Sequence, residues 1–191
     1  MQLVFATHNE NKFKEVSALL PDAISLLSLS MIGCHEEIEE SGSTLLENAQ
    51  IKAHYVYENY GLACFADDTG LLVEALNDAP GIYSARYAGE HGDAAANMDK
   101  LLLELDGIHN RNARFETVIA LIMNNGNHHF KGTVHGTITH VKQGEEGFGY
   151  DPIFMPKGFD QTFAQLPLET KNRIGHRGKA IQELISYLKS V

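Results

Sequence analysis

Thr7, His8, Asn9, Glu10, Asn11 and Lys12 form an unbroken polar cluster between the apolar run Leu3–Ala6 and apolar residues at helical spacing, Phe13, Val16, Leu19 and Leu20. A strand that feeds a polar loop opening a helix is a place to hold phosphate. The first N–H groups of the helix lack intrahelical partners and its dipole is positive there. The Thr7 hydroxyl, the Asn9 amide and the Lys12 ammonium would add donors. The paired glycines and the Lys-Ser/Thr ending of a P-loop are missing, and a strand, polar turn and capped helix standing alone is more often plain scaffold.

Asp67-Asp68-Thr69-Gly70 follows the apolar stretch Leu62–Ala66. Ligand sites in α/β sheets gather beyond the carboxyl ends of strands. Adjacent carboxylates repel, which favours a cation nearby, and hard oxygen donors suit Mg²⁺. Two aspartates before a glycine are also ordinary turn chemistry. Glu36, Glu37, Glu39 and Glu40 precede Ser41-Gly42. Most of such a run is a solvated loop, and one of the four could complete a Mg²⁺ site with Asp68.

Gly147-Phe148-Gly149-Tyr150-Asp151-Pro152 places two aromatics and a carboxylate in a bendable loop. An aromatic flanked by glycines can offer its face to a planar base, where stacking is worth roughly 1–3 kcal/mol. The alternative is that Phe148 and Tyr150 plug the core. Lys171, His176 and Arg177 precede the last helical stretch, where they could grip phosphate or donate to a base carbonyl, or form a basic surface connector. The ten histidines contain neither a His-x-x-x-His pair nor a Cys/His knuckle, and a zinc site is rejected.

The elements that must carry these residues alternate through the first hundred positions. Leu3–Ala6, Ile24–Leu29 and Leu62–Ala66 read as strands. Thr44 and Glu47 have capping-box spacing and open a helix with Leu45, Ala49, Val56 and Tyr60 inward. A third helix is predicted over Ala94–Leu105. Phe115–Met123, the turn Asn124-Asn125-Gly126-Asn127 and Phe130–Val141 read as a β-hairpin, and an amphipathic helix is predicted from about Lys179. The result is an α/β chain with an antiparallel hairpin region.

Composition excludes several functions. The 191 residues, 43% hydrophobic and 21% charged, suit one globular domain. Fifteen Lys and Arg against 25 Asp and Glu give a formal charge of -10, which argues against coating a nucleic acid polymer or an anionic membrane. An anionic substrate then needs a local cluster of cations or a metal ion. Cys34 and Cys64 lack metal-ligand spacing and suggest a reduced, cytoplasmic protein. No apolar stretch nears the ~20 residues needed to span a bilayer.

Read in order, the motifs resemble the inosine triphosphate pyrophosphatase family, enzymes that hydrolyse dITP, ITP and XTP. The matching pieces are Thr-x-Asn-x-x-Lys at 7–12, Glu-Glu-Ser-Gly at 39–42 with Glu-Asn-Ala at 47–49, and Ala-Asp-Asp-Thr-Gly at 66–70. Further matches are Ala-Pro-Gly-Ile-Tyr-Ser-Ala-Arg-Tyr at 79–87, Gly-Phe-Gly-Tyr-Asp-Pro-Ile-Phe at 147–154 and His-Arg-Gly at 176–178. The resemblance implies a single nucleoside triphosphate pyrophosphatase domain over 1–191, α/β and two-lobed, with an elongated mixed sheet flanked by helices and a central cleft. It implies Mg²⁺ dependence and a homodimer acting on purine nucleoside triphosphates in the nucleotide pool, with no membrane or nucleic acid polymer as partner.

Residue by residue, the resemblance makes Asp68 the catalytic base and a metal ligand, with Glu39 or the adjacent Glu40 as second ligand and Glu39 preferred. Thr7, His8, Asn9, Glu10, Asn11 and Lys12 would hold the phosphates. Thr69, Phe148, Gly149, Tyr150, Asp151, Lys171, His176 and Arg177 would contact the substrate. His8, Thr69 and Gly175 depart from the family's usual glycine, serine and serine. A preference for pyrimidine or modified nucleotides, and a non-catalytic nucleotide-binding module, are the competing readings.

Overall fold

The computed structural model describes residues 1–191. Its strands are β1 (Gln2–Phe5), β2 (Ser25–Ser28), β3 (Cys64–Val73), β4 (Pro80–Gly81), β5 (Asn112–Met123), β6 (Gly126–Ile138) and β7 (Phe154–Pro156). The helices are α1 (Glu10–Ser17), α2 (Leu45–Tyr60), α3 (Ala94–Glu104), α4 (Leu168–Ile174) and α5 (His176–Leu188). The sheet is mixed, of order β2-β1-β3-β5-β6-β7 with β4 paired to β3. β1 is parallel to both β2 and β3, whereas β4 and β7 join antiparallel to β3 and β6. No helix is long and apolar enough to cross a membrane.

Two compact units share the chain. The first holds Met1–Asp68, Thr117–Gly132 and Arg177–Val191, and the second Thr69–Glu116 and Thr133–His176. In the first unit the sheet is buried on both faces, and strand alternation divides its side chains between two apolar layers. Val4, Ala6, Cys64 and Ala66 pack with Ala49, Ala53 and Val56 of α2. Leu3, Phe5 and Phe65 pack with Val16 of α1 and Ile181 and Leu184 of α5. The rings of Phe5 and Phe65 stack at 4.6 Å on that second face. The second unit has its own core, built on Leu71, Leu101, Phe115, Phe154 and Phe163.

Thr44 caps α2 by accepting from the Glu47 N–H, and Glu47 accepts from the Ser43 N–H and hydroxyl. The α3 and β5–β6 hairpin expectations match within a few residues. Three expectations need correction. The strand expected to stop at Ala66 runs through Asp67-Asp68-Thr69-Gly70 to Val73. Gly70 is there for closeness rather than for a turn: a Cβ on it would lie 2.7 Å from the Gly81 carbonyl oxygen on β4. Lys171 lies on α4, which the sequence reading did not foresee, and α5 begins at His176 rather than Lys179. His176 and Arg177 therefore belong to a helix's first turn. Gly175 closes α4, its N–H donating to the Lys171 carbonyl, and a Cβ there would stand 2.6 Å from that same oxygen.

Candidate active site

Because β3 passes through both aspartates, Asp67 and Asp68 point to opposite faces of the sheet. Asp68 keeps the phase of Cys64 and Ala66, on the α2 side. Asp67 keeps the phase of Phe65, on the side of α1 and α5. The pair is thus two separate carboxylates in two separate settings, at 6% and 1% exposure.

Asp67 is the centre of an ion-pair network. Lys12 Nζ lies 2.9 Å from its Oδ1 and Arg177 Nε 3.1 Å from its Oδ2. Arg177 Nη1 also reaches Glu15 Oε2 at 2.5 Å. Burial pushes the Asp67 carboxyl up, but Lys12, Arg177 and Lys52 outweigh it and hold the group below its usual range. For Lys12 burial wins over the attraction of Asp67, and its affinity for a proton is lowered. For Arg177 the balance runs the other way: Asp67 and Glu15 overcome burial and raise it. Asp67 is therefore an anchor, favoured in its ionised form, that fixes two cations.

Asp68 has the opposite balance. Burial raises its carboxyl above the ordinary value, Lys52 and Lys12 only partly offset this, and the Glu40 carboxylate adds to the rise. Asn48 is its positioning partner. The Asn48 amide nitrogen donates to Asp68 Oδ2 at 3.1 Å, and its oxygen accepts from the Gly42 N–H at 2.8 Å. One buried amide thus ties Asp68 to the end of the acidic segment. Lys52 Nζ pairs with Glu40 Oε1 at 2.5 Å. Burial lowers the Lys52 ammonium, but Asp68, Glu40 and Asp67 together raise it above its ordinary value.

The structure separates the two glutamates between which the sequence reading chose. Glu39 is exposed, whereas Glu40 is half-buried and lies within electrostatic reach of Asp68, Asp67 and Lys12. Glu15, Asn48 and Lys52 were not foreseen. A signal existed for two of them. Asn48 and Lys52 share a helical phase with Leu45, Ala49 and Val56, the buried stripe of α2, and a lysine in a core phase needs an anion to face it.

The first polar loop is ordered as a helix start. Asn9 caps α1, its Oδ1 accepting from the Lys12 N–H at 3.0 Å, and the Thr7 hydroxyl accepts from the Asn9 N–H at 3.1 Å. Glu10 and Asn11 are exposed in the first turn, and the His8 ring reaches the Glu36 carbonyl oxygen at 2.9 Å.

In the second unit, Asp151 organises the aromatic loop. Its Oδ2 accepts from the Phe148 N–H at 2.8 Å and from Lys171 Nζ at 2.5 Å. Lys171 Nζ also stands 4.7 Å from the centre of the Phe148 ring, a cation–π distance. Phe148, Gly149 and Thr69 are half-buried. Tyr150 is 5% exposed within the core, and its hydroxyl donates to the Ser84 carbonyl. A ring that long satisfies its hydroxyl only by reaching a buried acceptor. His176 is buried and stacks on Phe115 at 4.7 Å.

The donor chemistry around Asp68 fits Mg²⁺. A buried carboxylate whose proton affinity is raised gains from a nearby cation, and Glu40 offers a second hard oxygen donor. No group of three or more His, Cys, Asp or Glu side chains forms a metal cage. Mg²⁺ takes one or two carboxylates and leaves its other positions to water and phosphate oxygens.

The chain superposes on the Ham1 protein of Staphylococcus aureus with a TM-score of 0.90 at 41% identity, covering 100% of this chain and 99% of that one. Against a HAM1 protein from Coxiella burnetii the TM-score is 0.91 at 38% identity, covering both chains completely. A protein of Flavobacterium psychrophilum named dITP/XTP pyrophosphatase is 56% identical over the full length of both chains. One of the same name from Porphyromonas gingivalis is 50% identical over 98% of this chain and 97% of its own. The model of the Ham1 family matches residues 3–187, and with nearly the whole length matched the chain belongs to the Ham1 family.

Proposed function

We propose that this protein hydrolyses deaminated purine nucleoside triphosphates, dITP, ITP and XTP, to the nucleoside monophosphate and pyrophosphate, and so clears them from the nucleotide pool. The observation that carries the reading is the setting of Asp68: a buried carboxylate of raised proton affinity, fixed by Asn48, with Lys12, Lys52 and Glu40 around it. A binding module has no need of such a base. The name shared by relatives of 50% identity and above supports the substrate class.

Water loses its proton to the Asp68 carboxylate as its oxygen bonds to the α-phosphorus, and the bond from that phosphorus to the bridging oxygen breaks. Lys12, held by Asp67, and the N–H groups opening α1 neutralise the phosphate oxygens and the departing pyrophosphate. Asp68 and Glu40 would hold Mg²⁺. The ion supplies Lewis-acid stabilisation of charge on the phosphate oxygens when bound.

Phe148 stacks on the purine, and Lys171 and Asp151 hold that ring in place. His176 supplies a donor to the six-carbonyl of hypoxanthine or xanthine. Adenine presents an amino group there, and donor would face donor. The enzyme is read as a cytoplasmic homodimer. Hydrolysing ITP in ¹⁸O-labelled water tests the reaction: the label is expected in IMP, with unlabelled pyrophosphate. Release of orthophosphate, or label in pyrophosphate, contradicts attack at the α-phosphorus.

A further inference from the structure

We propose that His8 is a positioning residue, a latch that holds the acidic segment in place so that Glu40 stays beside Lys52 and Asp68; this rests on the reading of the site as a Mg²⁺-dependent pyrophosphatase. His35–Gly42 carries no regular structure. It is fastened before its start by the buried Cys34, whose N–H donates to the Leu29 carbonyl. It is fastened at its end by Asn48, which accepts from the Gly42 N–H, and by the Glu40–Lys52 pair. Between these points the His8 ring crosses from the loop ahead of α1, and its Nε2 lies 2.9 Å from the Glu36 carbonyl oxygen.

A carbonyl oxygen only accepts, so Nε2 carries the proton and donates. The neutral Nε2–H tautomer and the imidazolium both do this, and the latch holds in either form. Glu36 stands four residues before Glu40, and fixing its carbonyl removes much of the freedom of the chain between. The bond joins the loop that carries the phosphate donors to the loop that carries a metal-side carboxylate. Losing it loosens the placement of Glu40 and leaves Asp68, anchored separately by Asn48, where it is.

Two readouts on one set of variants test the proposal. Glutamine presents an N–H donor at the reach of Nε2, while asparagine presents one only at the reach of Nδ1. A glutamate-specific protease, applied to the native protein, reports how often the segment with Glu36, Glu37, Glu39 and Glu40 comes away. One hydrogen bond's worth of loosening speeds native-state cleavage there by about fivefold. His8→Ala and His8→Asn are expected to show that increase and a similar rise in the Mg²⁺ concentration for half-maximal ITP hydrolysis. His8→Gln is expected to restore both. Equal cleavage of wild type and His8→Ala overturns the latch, and faster cleavage of all three variants overturns its hydrogen bond. Faster cleavage with an unchanged Mg²⁺ requirement overturns the positioning role. A wild type that fails to hydrolyse ITP contradicts the pyrophosphatase reading instead, and the cleavage series still decides whether the latch exists.

Discussion

At the scale of single residues, the chemistry turns on strand parity. Asp67 and Asp68 are chemically identical neighbours, yet one faces Lys12 and Arg177 and the other Asn48 and Lys52. The first is held ionised by its cations, while burial raises the proton affinity of the second. Asp68→Asn keeps the shape but removes the proton acceptor. It should lower kcat for ITP by about 10²–10⁴-fold, while ITP binding measured by calorimetry persists; an unchanged kcat removes Asp68 from the base role. The two glutamates should also separate. Glu40→Gln should raise the Mg²⁺ concentration for half-maximal activity by about tenfold or more, and Glu39→Gln should leave it near wild type. The reverse order would return the metal to Glu39.

At the scale of elements, the helices, the hairpin and the order of motifs were legible because each rests on local signals: periodicity, capping residues and an Asn-Gly turn. Residue types also singled out Asp68, Lys12 and Phe148. What stayed hidden depends on partners distant in sequence. Glu15 meets Arg177 across 162 positions, and Gly70 looked like a turn because its real neighbour, Gly81, lies on another strand. The short α4 was hidden by Pro167 and the glycine after it.

The aromatic loop shows the same long-range logic. Gly147 adopts a left-handed φ of 78°, and a side chain there would run into the Asp151 carboxylate. Gly147→Ala should therefore break the hold of Asp151 on Lys171 and on the Phe148 N–H. Hydrogen bonds to charged groups contribute about 1.5–3 kcal/mol, so KM for ITP should rise roughly tenfold or more, with a smaller change in kcat. Steady-state kinetics that show the converse split would mean that the loop serves chemistry rather than base binding. On β6, Gly136 lies against Met155 and Phe154 of β7. Gly136→Ala should cost about 1–3 kcal/mol of stability by overpacking, read from urea unfolding, and a neutral effect would deny the close strand approach.

At the scale of the whole molecule, a formal charge of -10 makes the half-buried Lys12 and the buried Lys52 and Arg177 local exceptions, each set against carboxylates that hold it in place. Stability should carry a separate, alkaline signature. Burial pushes the Cys64 thiol from near 9 up to about 12. The folded chain thus holds that proton more tightly than the unfolded chain. Its contribution is fully present below about pH 9 and is lost as pH rises toward 12. The urea midpoint should fall from about pH 9 to about pH 11, and Cys64→Ala should fall less steeply. Equal slopes would contradict the buried, neutral thiol.

The most direct test of the function is a comparison of kcat/KM for ITP, XTP, GTP, ATP and dTTP with Mg²⁺, read as pyrophosphate released. A site that requires a carbonyl at the purine six position should favour ITP and XTP over ATP by up to about 10⁴-fold, with dTTP equally poor. Equal turnover of ATP and ITP, a preference for dTTP, or no pyrophosphate from any of them would contradict it.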